Sequence, residues 1–394
     1  MTDWSTRYAA RMARVVASDI RERMKLLAAK DIIQLGGGLP DPALFPRQRI
    51  AEASAYILGD PVLARTAMQY APSEGHPPLK EWLASYMASI GAPCRPENIL
   101  VTNGSQQGLD FIGKLFISSG DTVAVELPSF IGALRAFDAY EPRYVRLPMK
   151  TGDGEPAKFG YVGTDFRNPT GTSLSRAERE ALLDAAEVLD MPLVEDGCYE
   201  KLRFDGEHIP SLLSLEIART DNVDSGRVIY TGTFSKTIAP SFRVGWVVAP
   251  EPVIRKLTLI KQAGDLATSA FNQMVMLDVA NACLEDEAVK ARAFYRTRRD
   301  SMMAALEAHM PRSVTWTRPE GGFYVWLTLP RHLDGEEVTR RSLEEARVSI
   351  IAGRTFYAIE PELNTVRLSY SLASEEAASE GVARLGKLLG TMIN

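Results

Sequence analysis

Between residues 97 and 250 short apolar runs alternate with amphipathic segments, and this alternation restricts the fold more than any other feature of the chain. Ile99–Thr102, Thr122–Leu127, Gly160–Asp165, Leu193–Glu195 and Val228–Thr231 read as strands within these short apolar runs. Ser105–Ile117, Phe130–Ala139 and Arg176–Leu189 lie between them with apolar residues at helical spacing. Apolar strands separated by helices imply a mostly parallel sheet covered on both faces. Arg243–Ala249 follows the preceding strand too closely for a crossover helix, so one antiparallel member is expected.

Long helices are expected from about residue 250 to His309. Beyond them, strands Gly322–Leu327 and Val366–Ser369 mix with helices Ser342–Glu345 and Glu375–Leu389, the pattern of a small α+β domain. The expected division is a helical arm with part of the small domain over 1–45, a large domain over 46–290 and the small domain over 291–394, joined by helix. The first 35 residues read as a charged, amphipathic helix pair. Gly36-Gly37-Gly38-Leu39-Pro40-Asp41-Pro42 reads as a loop that glycine alone can shape.

Composition removes several classes of function. The net charge of −5 offers no basic face for nucleic acid, so an anion has to be held by individual Arg and Lys side chains. Cys94, Cys198 and Cys283 are odd in number and lack CxxC spacing, and the four histidines form no ligand pair. Neither disulfides nor a metal is expected, and a reducing, cytoplasmic location fits. No signal-peptide core and no run of about 18 apolar residues is present, so no membrane span is expected.

In open α/β sheets ligands bind beyond the carboxyl ends of the strands, and the residues placed there carry the chemistry. Asn103-Gly104-Ser105-Gln106 joins a strand to a helix start, where free N–H groups favour a phosphate; a plain N-cap serine is the alternative. Asn168-Pro169-Thr170-Gly171 puts a polar amide in a tight turn after a strand, though surface turns share the pattern. Asp196 ends another strand with Tyr199 three residues on; the pair can enter one pocket, or Asp196 can cap a helix. Thr233-Phe234-Ser235-Lys236, with Arg243 seven residues later, offers two hydroxyls, a guanidinium and an amine next to a buried strand. Such a lysine suits Schiff-base chemistry, and an exposed turn is the alternative. Arg367 lies inside the apolar run 365–369, where it either snorkels or clamps a carboxylate. The motifs gain weight together because all fall at strand ends and supply complementary parts of one site.

In that order, GSQQ, NPTG, D-x-x-Y, S-K-x6-R and a late arginine in a strand, the chain resembles the fold-type I pyridoxal 5′-phosphate (PLP) enzymes of the class I/II aminotransferase family. SDIRERMKLL, GGGLPDP and PSFIGAL are similar to the branch of 2-aminoadipate and kynurenine aminotransferases and the aminotransferase-like domains of MocR regulators. The resemblance implies an α/β/α sandwich around a seven-stranded sheet with a small α+β domain beside it. It implies that Lys236 holds the cofactor as a Schiff base and shuttles the Cα proton. Asp196 would pair with the ring nitrogen, Asn168 and Tyr199 with the ring hydroxyl, and Phe130 would stack on the ring. Ser105, Gln106, Thr233, Ser235 and Arg243 would hold the phosphate, joined by Tyr70 from the other subunit of a homodimer. Arg367 and the backbone at Gly38 would bind the substrate carboxylate, and Arg21 would choose its distal group.

The chain departs from that branch in three places: Phe130 stands where a tyrosine is usual, the stretch from Met149 to Asn168 is short and lacks a helix, and Asp165-Phe166-Arg167 is a variant lead into NPTG. The expected activity is ping-pong transfer of an amino group from an L-amino acid (glutamate, aminoadipate or an aromatic amino acid) to a 2-oxo acid. The rivals are a PLP-dependent lyase or decarboxylase with the same pocket, and a stand-alone MocR-like sensing domain. No winged-helix segment ahead of residue 18 supports the sensor, and no GxGxxG follows the first strand to support a dinucleotide site.

Overall fold

The computed structural model describes residues 2–15, 31–150, 152 and 155–393. Its strands, in chain order, are β1 (Ile33–Gln34), β2 (Ile99–Thr102), β3 (Thr122–Val125), β4 (Arg143–Arg146), β5 (Gly160–Gly163), β6 (Leu193–Asp196), β7 (Val228–Thr233), β8 (Gly245–Val248), β9 (Thr315–Trp316), β10 (Tyr324–Thr328), β11 (Val348–Ser349), β12 (Ile351–Ala352) and β13 (Thr365–Ser369). The main sheet has seven strands in the order β2-β8-β7-β6-β5-β3-β4. β4, β3, β5, β6 and β7 run parallel, and β8 runs antiparallel to both its neighbours, as its short connection requires.

Alternation along each strand sends side chains to two separate cores. Ile99, Val101, Leu193 and Val228 pack on one face against the helices Pro77–Ser89, Arg176–Val188 and Leu212–Thr220. Leu100, Val123, Val194 and Ile229 pack on the other against Ser105–Phe116, Ile131–Asp138 and Glu251–Gly264. Both faces are thus covered, and every residue of β2, β3, β5 and β7 is buried. A second sheet, β12-β13-β10-β9, is antiparallel throughout and has its own core. The 40-residue helix Ala270–His309 belongs to both: Met274–Leu284 packs into the first core, and Ala291–Leu306 into the second.

Two sequence expectations change here. The described part of the N-terminal segment is not an α-helix. It forms two 3₁₀ turns, Trp4–Arg7 and Ala10–Ala13, that bury no residue and touch the large sheet's edge through Arg14, whose guanidinium donates to the Pro142 carbonyl at 2.8 Å. A short helix gains most of its stability from an apolar face to pack on, and these turns have none. Arg21 lies outside the described residues. The edge strand β4 also goes unforeseen. Its end residues Arg143 and Arg146 are exposed, so it has no apolar run, and charged edges of this kind discourage pairing with other chains.

Among the described residues no helix is long and apolar enough to cross a membrane.

Candidate active site

The carboxyl ends of the parallel strands open into a cavity of about 340 Å³ lined by Gly38, Ser105, Gln106, Phe130, Asn168, Asp196, Tyr199, Thr233, Ser235, Lys236, Arg243 and Arg367. All the described residues expected at the site are therefore brought together except Tyr70, which stands 79% exposed outside it; Arg21 is not among the described residues.

One end of the cavity is an anion cradle. The helix Ser105–Phe116 begins there, presenting the unpaired N–H groups of its first turn. Gly104 precedes it at φ +78°, and a Cβ there would lie 2.4 Å from Nη2 of Arg243, so the guanidinium occupies space that only glycine leaves. Arg243 itself takes the left-handed conformation, φ +55°, and donates to the carbonyls of Asn103 (3.2 Å) and Pro240 (3.1 Å). Holding a non-glycine residue there costs on the order of 1 kcal/mol, a strain typical of functional sites. The Thr233 hydroxyl donates to that of Ser235 at 2.9 Å, and Arg243 reaches the latter at 3.5 Å. Gln106 is exposed and donates to the Gly132 carbonyl at 2.7 Å.

The middle of the cavity holds an amine and a carboxylate that do not neutralise each other. Among the described residues Nζ of Lys236 meets no carboxylate; it stands 5.8 Å from the Tyr199 ring centre and 6.0 Å from that of Phe323. Asp196, at the end of β6, accepts from the Tyr161 hydroxyl at 2.8 Å and from the Cys198 N–H at 3.2 Å. Both partners are neutral donors, so among the described residues the carboxylate has no cationic partner and is available to one.

The far end is a buried cation. Arg367, on β13, is 2% exposed and donates to Asn168 Oδ1 and to the Gly36 carbonyl, each at 2.7 Å. It lies over the rings of Tyr324 and Phe356 at 4.3 and 4.7 Å. Its Nε has no partner, and burial lowers the guanidinium's pKa. A buried charge without a counter-charge costs several kcal/mol, so the pocket is built to receive an anion.

These features fit PLP. The cradle suits its phosphate, Asp196 its ring nitrogen, Asn168 and Tyr199 its hydroxyl and Lys236 its aldehyde carbon. Phe130 supplies an aromatic face. The orphaned Nε of Arg367 remains for a carboxylate beyond the cofactor.

Several lining residues escape sequence reasoning. Glu126 follows β3, fully buried, accepting from the Gly163 N–H (3.2 Å) and pairing with Arg167 (3.3 Å); burial above all pushes its carboxyl up to about 7. Tyr161 lies inside β5, Gly160-Tyr161-Val162-Gly163, where it reads as an ordinary strand aromatic. Tyr324 has the clearest signal available: it is an aromatic on β10, whose Trp326 pairs in register with Arg367. Among the described residues no cluster of His, Cys, Asp or Glu is placed to hold a metal.

Residues 30–385 match the model of the family described as aminotransferase class I and II. The chain is 38% identical to the 2-aminoadipate transaminase of Thermus thermophilus, covering 98% of this chain and 97% of that protein. It is 36% identical to aromatic-amino-acid aminotransferase 1 of Thermococcus litoralis, covering 98% and 95%. Among solved structures it superposes on the kynurenine aminotransferase of Pyrococcus horikoshii, in complex with PMP and kynurenine, with a TM-score of 0.91 and 35% identity over 100% of this chain and 99% of that one.

Proposed function

The chain belongs to the class I and II aminotransferases, and from that premise we propose how its residues divide the work of a PLP-dependent amino-group transfer. The reaction takes the amino group of an amino acid to a 2-oxo acid in two half-reactions. Bound PLP supplies a protonated ring that accepts the electron pair left at the substrate's Cα.

Lys236 holds the cofactor through Nζ and, once the substrate amine has taken its place, removes the Cα proton. Among the described residues no carboxylate stands against Nζ, which leaves it open to the cofactor's aldehyde carbon, and this supports the role. Asp196 keeps the ring nitrogen protonated. Asn168 and Tyr199 hold the ring hydroxyl, and Phe130 packs on the ring. Ser105, Gln106, Thr233, Ser235 and Arg243 hold the phosphate.

Arg367 grips the α-carboxylate, with Gly38 closing over it. A planar, two-pronged clamp fixes the orientation of the Cα–H bond, so the same contact that binds also orients. The observation that carries this assignment is the buried guanidinium lining the cavity, which meets no counter-charge among the described residues.

The substrate is an L-amino acid with a long or aromatic side chain. Leu39 and Ile131 give the cavity wall an apolar surface, and the relatives named above act on 2-aminoadipate, aromatic amino acids and kynurenine by their names. Arg21 selects the distal group. The enzyme works as a homodimer in which Tyr70 reaches the neighbouring phosphate, consistent with the exposed Val62, Met68 and Tyr70. The two cores, joined by the long helix near residue 290, act as large and small domains.

The deciding experiment is an absorbance spectrum of the purified protein, beside Lys236→Ala, with a panel of amino acids. A band between about 360 and 430 nm that moves to about 330 nm with glutamate, aminoadipate or an aromatic amino acid is expected. The alanine variant is expected to lose the shift and to slow transfer by at least about 1000-fold. A protein with no such band after addition of PLP overturns the reading.

A further inference from the structure

We propose that Tyr324 is a positioning residue that relays hydrogen-bond polarity from the substrate clamp Arg367, through Asn168, to the hydroxyl of Tyr199. This rests on the roles proposed above for Arg367, Asn168 and Tyr199.

Donor chemistry orders the contacts. Arginine has no acceptor atom, so the 2.7 Å contact of Arg367 Nη1 is with the carbonyl oxygen of the Asn168 amide. That fixes the amide's orientation and turns Nδ2 away, and Nδ2 donates to the Tyr324 hydroxyl at 3.4 Å. The Tyr324 oxygen thus receives one proton; of the two hydroxyls 3.0 Å apart, either of which can donate, the relay takes Tyr324 as the donor to Tyr199. The Tyr199 proton is left to point into the cavity. Hydrogen bonds linked head to tail strengthen one another, so Tyr199 at the end of the chain is a stronger donor than an isolated tyrosine.

The setting keeps the chain in place. Tyr324 is 2% exposed, its ring lies beneath the Arg367 guanidinium at 4.3 Å, and it meets the Tyr199 ring edge-on at 5.9 Å. The loop carrying Gly38 closes on it so tightly that a Cβ at Gly38 would lie 2.1 Å from the Tyr324 oxygen. Arg367 on β13 and Tyr324 on β10 lie on paired strands of the second sheet, whereas Asn168 and Tyr199 follow strands of the first. The chain therefore spans the junction between them.

A stronger donor at the cofactor's hydroxyl favours its deprotonated form, and with it the form of the bound chromophore that prevails at high pH. Removing the Tyr324 hydroxyl weakens that donor. The test is a spectroscopic pH titration of the PLP-loaded protein, wild type against Tyr324→Phe and Tyr324→Leu, with KM for glutamate measured alongside. Tyr324→Phe is expected to move the midpoint of the band change upward by roughly half a unit to one unit, with KM within about threefold. Tyr324→Leu, which also removes the ring beneath Arg367, is expected to move the midpoint likewise and to raise KM by about fivefold or more. A Tyr324→Phe protein whose band changes at the wild-type pH or below it overturns the relay and leaves the cofactor assignment standing. Absence of any band in the wild type overturns the assignment on which the relay rests.

Discussion

The buried charges divide into those the protein satisfies and those it leaves waiting. Asp165 is of the first kind: Arg179 at 2.9 Å and Arg203 at 2.8 Å neutralise it beneath the NPTG turn. Arg367 is of the second kind, and the half-buried Lys236 and Asp196 likewise pair with no opposite charge among the described residues; these three are the groups we propose for the chemistry, whereas the paired ions serve structure. Glu200 stands between the two. Among the described residues its carboxyl accepts only from the Tyr230 hydroxyl at 3.0 Å, and burial, followed by repulsion from Asp165, pushes it up to about 7 from an ordinary value of 4.5. An acid whose pKa rises on folding binds its proton more tightly in the native state, so native stability falls as pH rises from about 4.5 to 7. Glu200→Gln keeps the acceptor for Tyr230 and abolishes the titration. Urea unfolding of the cofactor-free protein at pH 5 and pH 7.5 is expected to show the variant gaining on the order of 2 kcal/mol relative to wild type at the higher pH. An equal difference from wild type at both pH values would remove Glu200 from this account.

At the scale of elements, the loop Gly36–Pro42 is held from outside the cavity. Arg298, on the long helix, pairs with Asp41 at 2.8 Å and donates to the Ser371 carbonyl at 2.9 Å, and the Tyr295 hydroxyl accepts from the Asp41 N–H at 2.8 Å. Both partners of the ion pair are nearly buried, so removing one leaves a charge stranded. Arg298→Ala is expected to loosen the loop, raising KM for the amino donor by about tenfold while the PLP absorbance stays in place; Arg298→Lys should recover part of the loss. Unchanged KM in steady-state kinetics would mean that the loop needs no such anchor. The sequence makes the strand–helix framework legible because β2, β3, β5 and β7 are buried on both faces and so carry no charged residue. Asn168 after β5, Asp196 at the end of β6 and Lys236 after β7 follow in an order that can be read without coordinates. Contacts that join distant segments are a different matter. Nothing near Tyr324 in the chain indicates that its hydroxyl meets Tyr199, 125 positions earlier, and Asp41 shows no sign of Arg298. The edge strand β4 is hidden for another reason: its partner lies on one side only, so its pattern is polar.

For the whole molecule, Tyr70 is exposed at 79%, and Met68 and Val62, close to it in the chain, at 74% and 70%. Singly exposed apolar residues are ordinary, and the proposed dimer gives these three a partner surface to cover them. If Tyr70 completes a neighbour's cradle, each active site draws on two chains. Tyr70→Ala and Lys236→Ala should each be strongly impaired, yet refolding the two together should restore activity, because one site of the mixed dimer then has both side chains intact. Activity of the mixture that stays at the average of the separate proteins would confine each site to a single chain. Within one chain, the antiparallel β8 has its own consequence. β7 and β8 pair from Tyr230–Val248 to Thr233–Gly245, so the segment leaving one strand returns to the other at the same rim. Lys236 and Arg243 are both measured off along that excursion. The hairpin is thus a ruler whose two marks are the proposed covalent anchor and the proposed phosphate anchor, and one residue inserted between them would spoil the gauge without touching either side chain.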